Sequence, residues 1–295
     1  MRGAILRLLG VVVLLPLGAC VPKVEAPTGY YGPTEPLGVV VEQIDRNNAQ
    51  VPTLYARHYL EASIFDASKN KTHFINASGD LFVRKPTELY LRARKDPVSV
   101  FELGSTKDRY WLTVFVDGGR HWWGWHKNAD KDCAKGMPVR PDLLGEVLGI
   151  GDINKDLLEL PAPTMRFNND ADVYMLVWHN ALEDHWYAQK EIWYDRQTKH
   201  PRKVLLFDHD GRIVLRANLQ QHVQIEINGK PREQWPWIAT DFALYFPETK
   251  STMSIHLSEV ALTTRNGNPK EGTIRFPEDP DVPPENQIQI DKACE

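Results

Sequence analysis

The ten histidines are the first place to look for chemistry, because imidazole is both a metal ligand and an acid or base near neutral pH. Three groups lie close in the chain: His121 with His126, His179 with His185, and His209 between Asp208 and Asp210. None has the His-Glu-x-x-His spacing of a zinc site, and none has a second cluster at ligand spacing. We therefore predict that the chain has no metal site and no cofactor.

Other catalytic motifs are missing from the sequence as well. It has no Gly-x-Ser-x-Gly elbow, no phosphate-binding loop and no dinucleotide fingerprint. The run from Asp152 to Asp156 lacks the spacing and the closing glutamate of a calcium loop. The pair Glu183-Asp184 falls in a predicted hairpin turn, where solvated carboxylates are the rule. We predict that the protein is not an enzyme and has no catalytic residues.

The N-terminus has the pattern of an export signal. Arg2 and Arg7 are followed by an apolar run from Leu8 to Leu17, which is too short to span a bilayer comfortably. The run ends in Leu-Gly-Ala-Cys20, which resembles a bacterial lipobox, so residues 1–19 are predicted to be a lipoprotein signal peptide and Cys20 the lipidated, palmitate-bearing first residue. The alternative is an ordinary secretory leader with an incidental cysteine. In the bacterial sorting rule that this motif implies, an Asp after the cysteine favours retention at the inner membrane. Because Val21 follows Cys20, we predict that the protein is anchored in the outer membrane and faces the periplasm.

Two further cysteines, Cys133 and Cys294, remain once Cys20 is lipidated. In an exported protein, one remaining pair indicates a disulfide. Two free thiols or a catalytic Cys133 are the alternatives, although no motif frames a nucleophile at Cys133. A disulfide would join the C-terminus to the loop that follows the Trp-rich strand.

Composition limits the class of protein. The 295 residues carry a formal charge of -4, with 25% charged and 42% hydrophobic residues. This is typical of a soluble globular domain and argues against a nucleic-acid partner. The twenty-one prolines and nineteen glycines favour many turns over long helices. Proline and glycine are frequent in residues 20–36, which are predicted to be a tether between the membrane and the domain.

The stretch from Gly79 to Trp125 carries four short runs that alternate apolar and polar residues, each closed by turn residues. A period of two predicts strands with one dry face, and short links predict antiparallel neighbours. Its last run, His121-Trp122-Trp123-Gly124-Trp125-His126, is rich in tryptophan. We interpret it as a strand with rings on both faces, and an aromatic ligand site is the alternative.

Two short helices interrupt this pattern. Apolar residues at helical spacing predict one over Leu37–Ala49 and another over Pro141–Gly149, where Pro141 suits a helix start. Strand patterns resume from Asp172 to about Thr264, which gives about eleven strands in all. The Pro- and acid-rich residues 277–295 are predicted to form an extended tail laid over the domain.

This order of elements resembles a known family. A helical run from Val40 to Asn48 leads into a strand from Val51, and the run from Arg84 to Leu91 has the form strand, Arg-Lys-Pro, strand. Together with the strand from Val100 to Ser105, these runs resemble the superfamily of the lipoprotein carrier LolA and its receptor LolB. Over residues 37–276 the resemblance implies a mainly β fold: an incomplete, curved antiparallel β-barrel with short helices as a lid.

The resemblance also implies an apolar cavity between sheet and lid that takes acyl chains. From the strand patterns, the predicted lining residues are Leu89, Leu91, Leu112, Val114, Leu176, Ile225, Leu244 and Leu257. A one-residue slip in register would turn the opposite face inward, and a face simply filled as core is the alternative.

The predicted partners are the membrane, through lipidated Cys20, and lipid or acyl chains, with other lipoproteins or an envelope protein as further candidates. The predicted role is envelope lipid or lipoprotein transport or outer-membrane localisation. The alternatives are an envelope sensor or regulator and a structural lipoprotein that binds a protein partner.

Overall fold

A computed structural model describes residues 33–129, 131, 133–134, 136–182, 185–264, 267, 272 and 274–294. The predicted signal peptide, Cys20, most of the tether and the pair Glu183-Asp184 lie outside these residues. Within the described residues there are two α-helices, α1 (Leu37–Asn48) and α2 (Pro141–Val147). The strands are β1 (Thr53–Asp66), β2 (Lys71–Arg84), β3 (Glu88–Lys95), β4 (Val98–Ser105), β5 (Arg109–Val114), β6 (Arg120–Trp125), β7 (Ala162–Asn168), β8 (Val173–Leu182), β9 (His185–Asp195), β10 (Pro201–Phe207), β11 (Ile213–Gln224), β12 (Trp237–Phe246), β13 (Ser251–Ala261) and β14 (Gln287–Gln289).

All strands belong to one sheet in the order β14-β6-β5-β4-β3-β2-β1-β13-β12-β11-β10-β9-β8-β7. Strands β1 to β6 and strands β7 to β13 form two antiparallel meanders. The pairing of β1 with β13 joins the two meanders, and β14 adds to β6 in parallel. The predicted fold class, a mainly β curved sheet with short helices, is confirmed. The described residues form 14 strands rather than about eleven.

One reason for the different strand boundaries is Gly79. The sequence pattern breaks there and predicts separate strands on either side, but β2 continues through it as one strand of 14 residues. A Cβ at Gly79 would lie 1.7 Å from the carbonyl oxygen of Arg92 on β3. Glycine therefore permits a close approach of two backbones in the middle of the sheet, and it does not end the strand.

A second departure occurs in β11. The alternation over residues 222–227 before Asn228-Gly229 predicts a separate strand with Val223 and Ile225 inward. Residues 222–224 are instead the end of β11, and a turn follows at residues 227–230. The strand runs on through Gln221, whose positive φ of 56° interrupts the alternation. As a result Val223, predicted to face inward, is exposed, whereas Ile225 is buried. Because the irregular residue Gln221 shifts the face of the strand residues that follow it, the sequence period misassigned Val223. Ile225 lies beyond the end of β11, so the strand alternation does not govern it.

The core lies on one face of the curved sheet. Side chains of one parity on both meanders are buried together, and α1 covers part of this inner face with Val40, Val41 and Ile44. Pro36, just before α1, has extended backbone and so sets where the helix begins. Of the described residues, no helix has both the length and the apolar character needed to cross a bilayer.

The C-terminal residues 287–294 pack against the rest of the domain. Cys133 and Cys294 form a disulfide with their Cα atoms 5.5 Å apart, across 161 positions of sequence. Asp291 is fully buried and accepts hydrogen bonds from the amide of Trp125 and the side chain of Asn128. These contacts hold β14 against β6 and cover an edge that would otherwise be open for pairing.

Candidate functional site

The inner face contains a small, wholly apolar cavity of about 20 Å³. It lies where the two meanders meet beneath α2. Its lining residues are Leu81, Leu89, Leu91, Leu144, Val147, Leu148, Phe242, Leu244, Ile255 and Leu257. A volume of this size is on the order of one water molecule, whereas ligand sites typically measure about 300–1,000 Å³. In this conformation, the cavity beneath α2 is therefore too small to hold a ligand.

The eight predicted lining residues divide into two groups. Four of them line the cavity together: Leu89, Leu91, Leu244 and Leu257. The other four are buried in the same core but away from it: Leu112, Val114, Leu176 and Ile225. The sequence prediction did not include the residues of α2 in the lining, although the apolar stripe of that helix was the signal that could have found them.

Helix α2 forms the lid of the cavity. It has only seven residues, begins at Pro141 and has no side-chain cap at its N-terminus. Leu144 and Val147 point into the core, and two ion pairs flank them: Arg140 with Asp142, and Lys190 with Glu146 at 2.7 Å. An isolated helix this short is unstable in water, so its docking on the sheet is what keeps it formed.

Lys85 ties the lid to the rest of the molecule. Its ammonium group donates to the carbonyl oxygens of Asn48 at 2.8 Å and Ile150 at 3.1 Å, and it pairs with Asp152 at 2.5 Å. It thus joins the end of α1, the turn after α2 and the corner between β2 and β3. The sequence marked Lys85 only as part of the Arg-Lys-Pro step, because a contact between three distant segments leaves no local pattern.

A polar cleft of about 290 Å³ opens beside the lid and shares Leu89 with the apolar cavity. Four carboxylates line it, and each has a cationic partner: Glu88 with Arg84, Asp142 with Arg140, Glu146 with Lys190, and Asp152 with Lys85. Each pair compensates its own charge. A charged ligand group would have to compete with them, so the cleft favours neither an anion nor a cation.

The Trp-rich strand has rings on both faces, which was the preferred interpretation. Trp122 is buried on the inner face, whereas Trp123 and Trp125 lie on the outer face. There the ring of Phe276 packs against Trp123 with centroids 5.3 Å apart, and the guanidinium of Arg109 lies 4.2 Å from the Phe276 ring. On the outer face, Trp123 is thus packed against Phe276, the residue just before the tail of residues 277–295.

The histidines do not converge on a metal site. Within the described ranges there is no group of three or more His, Cys, Asp or Glu residues that could hold a metal ion. His126 lies 3.0 Å from the hydroxyl of Ser105, and His209 lies 3.7 Å from Asp210. His121 is buried beneath Phe276, and this burial lowers its pKa to about 4.

No protein-family model matches the sequence, and no curated protein matches it. The chain is similar to the structure of a DUF1329 family protein from Desulfovibrio piger, with 15% identity and a TM-score of 0.45 over 77% of this chain and 93% of that one. It is also similar to a LolA superfamily protein from Nitrosomonas europaea, with 10% identity and a TM-score of 0.42 over 78% and 93%. A putative outer membrane lipoprotein-sorting protein domain from Vibrio parahaemolyticus matches with 11% identity and a TM-score of 0.37 over 76% and 90%. A LolA superfamily protein is thus among the structures to which this chain is similar, as the sequence resemblance predicted.

Proposed function

We propose that the protein is a lipoprotein, anchored in the bacterial envelope through Cys20, that binds the acyl chains of a lipid or of another lipoprotein beneath α2. Its role would be envelope lipid or lipoprotein transport, or outer-membrane localisation. The observation that carries this proposal is the apolar cavity where the two meanders meet. The lipobox-like ending at Cys20 supports the envelope location.

The cavity supports acyl binding because of what covers it. Leu144 and Val147 of α2 and the following residue, Leu148, cover it, and every other lining residue comes from the sheet. If α2 lifted, these three residues would leave a continuous apolar surface behind. A linear acyl chain matches such a surface, since it needs apolar contact along its length and a polar exit at one end. The cleft beside the lid opens to solvent and shares Leu89 with this surface.

The free energy lost when the lid undocks is comparable to the free energy gained when an acyl chain is buried in its place. Burying one large aliphatic side chain contributes about 1.5–3 kcal/mol, so undocking three such residues costs roughly 5–9 kcal/mol. An acyl chain that buried about ten CH₂ groups in their place would contribute about 8 kcal/mol, at 0.8 kcal/mol per group. A near balance of this kind suits a protein that must both take up and release its ligand.

The anchor would hold the domain at the membrane that supplies or receives the ligand. The partners proposed are therefore the membrane, lipid or acyl chains, and other lipoproteins or an envelope protein. A large exposed aromatic patch around Trp122, Trp123 and Trp125 would favour the alternative, a structural lipoprotein that binds a protein partner. Because Trp122 is buried and Phe276 packs on the outer face, these residues do not favour it.

The test is native mass spectrometry with lipid extraction on the full chain purified from membranes, together with titration of a fluorescent fatty acid. We expect a co-purifying acyl species and saturable uptake of the probe. Leu91→Trp, which fills the cavity, should abolish both. Val98→Trp makes a comparable enlargement at an exposed site on β4 and is the matched control.

Thermal unfolding of each variant separates loss of binding from loss of the fold. A second cavity-filling variant, Val147→Phe, gives the same test from the lid side. If the wild-type chain carried no acyl species and took up no probe, or if the two cavity-filling variants bound as the wild type does, the proposed site would be refuted.

A further inference from the structure

His58 is a polar residue in the apolar inner face. It lies on β1 and is 2% exposed, between the apolar residues Ala56 and Leu60 of the same face. Its cross-strand partners are Leu257 on β13 and Gly79 on β2. Leu257 lines the cavity, and so do the next inner-face residues on these two strands, Ile255 and Leu81. His58 does not itself line the cavity, but residues that do line it lie beside it on both neighbouring strands.

The hydrogen bonding of His58 determines its tautomer. Its Nε2 atom lies 3.1 Å from the carbonyl oxygen of Arg92. A carbonyl oxygen only accepts hydrogen bonds, so Nε2 carries the hydrogen and Nδ1 of the neutral ring is left as an acceptor. Burial lowers the pKa of His58, which keeps the ring neutral at pH 7. The bare backbone of Gly79, directly opposite, leaves the ring room to reach across to Arg92.

The Nδ1 atom of His58 is buried and has no hydrogen-bond partner among the described residues. A buried acceptor without a donor costs the desolvation free energy of that atom, which an apolar ring of the same shape would avoid. His73 and His121 each also have an unpartnered ring nitrogen, but neither has cavity-lining residues as its cross-strand partners. Of these three histidines, His58 alone has a cavity-lining residue as a direct cross-strand partner.

We propose that Nδ1 of His58 accepts a hydrogen bond from the ligand, and that the site therefore selects acyl or alkyl chains whose first polar group is a donor. This inference rests on the proposed acyl-binding function and specifies its ligand. A hydroxyl or an amide N–H meets the requirement, whereas a simple ester does not, because it has no donor. The free hydroxyl of a partial glyceride and the amide of an N-acylated chain are two sources of this chemistry.

The test compares two probes of equal chain length, hexadecanol and methyl palmitate, in competition with a fluorescent fatty acid on the full chain held in amphipol. N-methylpalmitamide is a third probe, and its result separates amide from hydroxyl ligands. We expect the wild-type chain to bind hexadecanol about three- to tenfold more tightly than methyl palmitate, the range for one neutral hydrogen bond.

Two variants isolate the contribution of Nδ1. His58→Phe removes both ring nitrogens with a ring of similar shape, and His58→Leu removes them with a smaller apolar side chain. In each variant, we expect the ratio of the affinities for hexadecanol and methyl palmitate to fall to the ratio that partitioning into amphipol alone produces. The affinity for methyl palmitate should not change. In the wild type, the ¹⁵N shift of Nδ1 should move on addition of hexadecanol and not on addition of methyl palmitate, a response that a purely structural histidine would not show.

The outcomes are distinguishable. Binding of both probes by the wild type with a ratio equal to that of His58→Phe, or an unmoved Nδ1 resonance, would overturn the role of His58 and leave the acyl site intact. Binding of no probe by the wild type would overturn the acyl site and this inference together.

Discussion

The burial of His121 predicts a specific loss of stability in mild acid. His121 is 1% exposed, its Nδ1 lies 2.8 Å from the hydroxyl of Thr113, and its Nε2 has no partner among the described residues. Burial lowers its pKa from 6.5 to about 4 in the folded state. As the pH falls from about 6.5 towards 4, the unfolded chain therefore binds a proton that the folded chain does not, and the free energy of unfolding decreases.

The magnitude follows from the two pKa values. At pH 5, His121 is protonated in nearly all unfolded molecules and in about a tenth of folded ones, which shifts the equilibrium about 30-fold towards unfolding. This is about 2 kcal/mol, and most of it is absent at pH 7. Other histidines whose pKa burial lowers, such as His200 and His222, change stability in the same direction. The contribution of His121 is therefore measured as a difference between variants.

The assay is urea unfolding of the full chain at pH 7, 6 and 5, monitored by tryptophan fluorescence. We expect the wild type to lose about 2 kcal/mol more than His121→Phe between pH 7 and pH 5. His121→Asn keeps a polar atom near Thr113 and should show the same reduced pH dependence. The corresponding change at His256, whose side chain is 56% exposed, is the control. Parallel pH profiles for the wild type and both His121 variants would refute the assignment of a buried neutral ring.

Three further predictions follow from the contacts described. Replacing Cys294 with Ser should lower the free energy of unfolding by up to about 5 kcal/mol, because the disulfide closes a loop of 161 positions; reduced wild type should unfold like the variant. Phe276→Ala should cost about 2 kcal/mol and shift the tryptophan emission to longer wavelength, because it uncovers Trp123 on the outer face; an unchanged emission spectrum would contradict the packing described. Lys85→Met should speed amide exchange around Ile150 and increase the rate of acyl-probe uptake by loosening the lid, whereas exchange in β7, on the far edge of the sheet, should not change.

Much of the fold was predictable because the signals are local. Alternation over β3 and β5 indicated strands with one dry face, and apolar residues at helical spacing indicated both helices. The prolines at positions 36 and 141 marked where the helices begin. The number of strands was less predictable, since β7 and the three-residue β14 have patterns too weak or too short to stand out.

The candidate site was predictable only in part. Leu89, Leu91, Leu244 and Leu257 line the cavity together, because their parity in the strands placed them on the inner face. Their distance from one another within that face depends on the strand order, which no single segment encodes. Neither Lys85, which ties the lid, nor His58, which lies beside cavity-lining residues, had a local motif, since their roles depend on partners far away in sequence.

The sequence by itself determined the class of this protein: a mainly β domain, preceded by a predicted lipoprotein leader, with two short helices and a sheet that has one dry face. Only the tertiary structure decided how that dry face is covered. It showed that the two meanders join through β1 and β13, that α2 lies over an apolar cavity of about 20 Å³, and that Phe276 packs on Trp123. The physical reason is that periodicity records which side of an element is buried, whereas the packing between distant elements decides what lies against it and how much space remains.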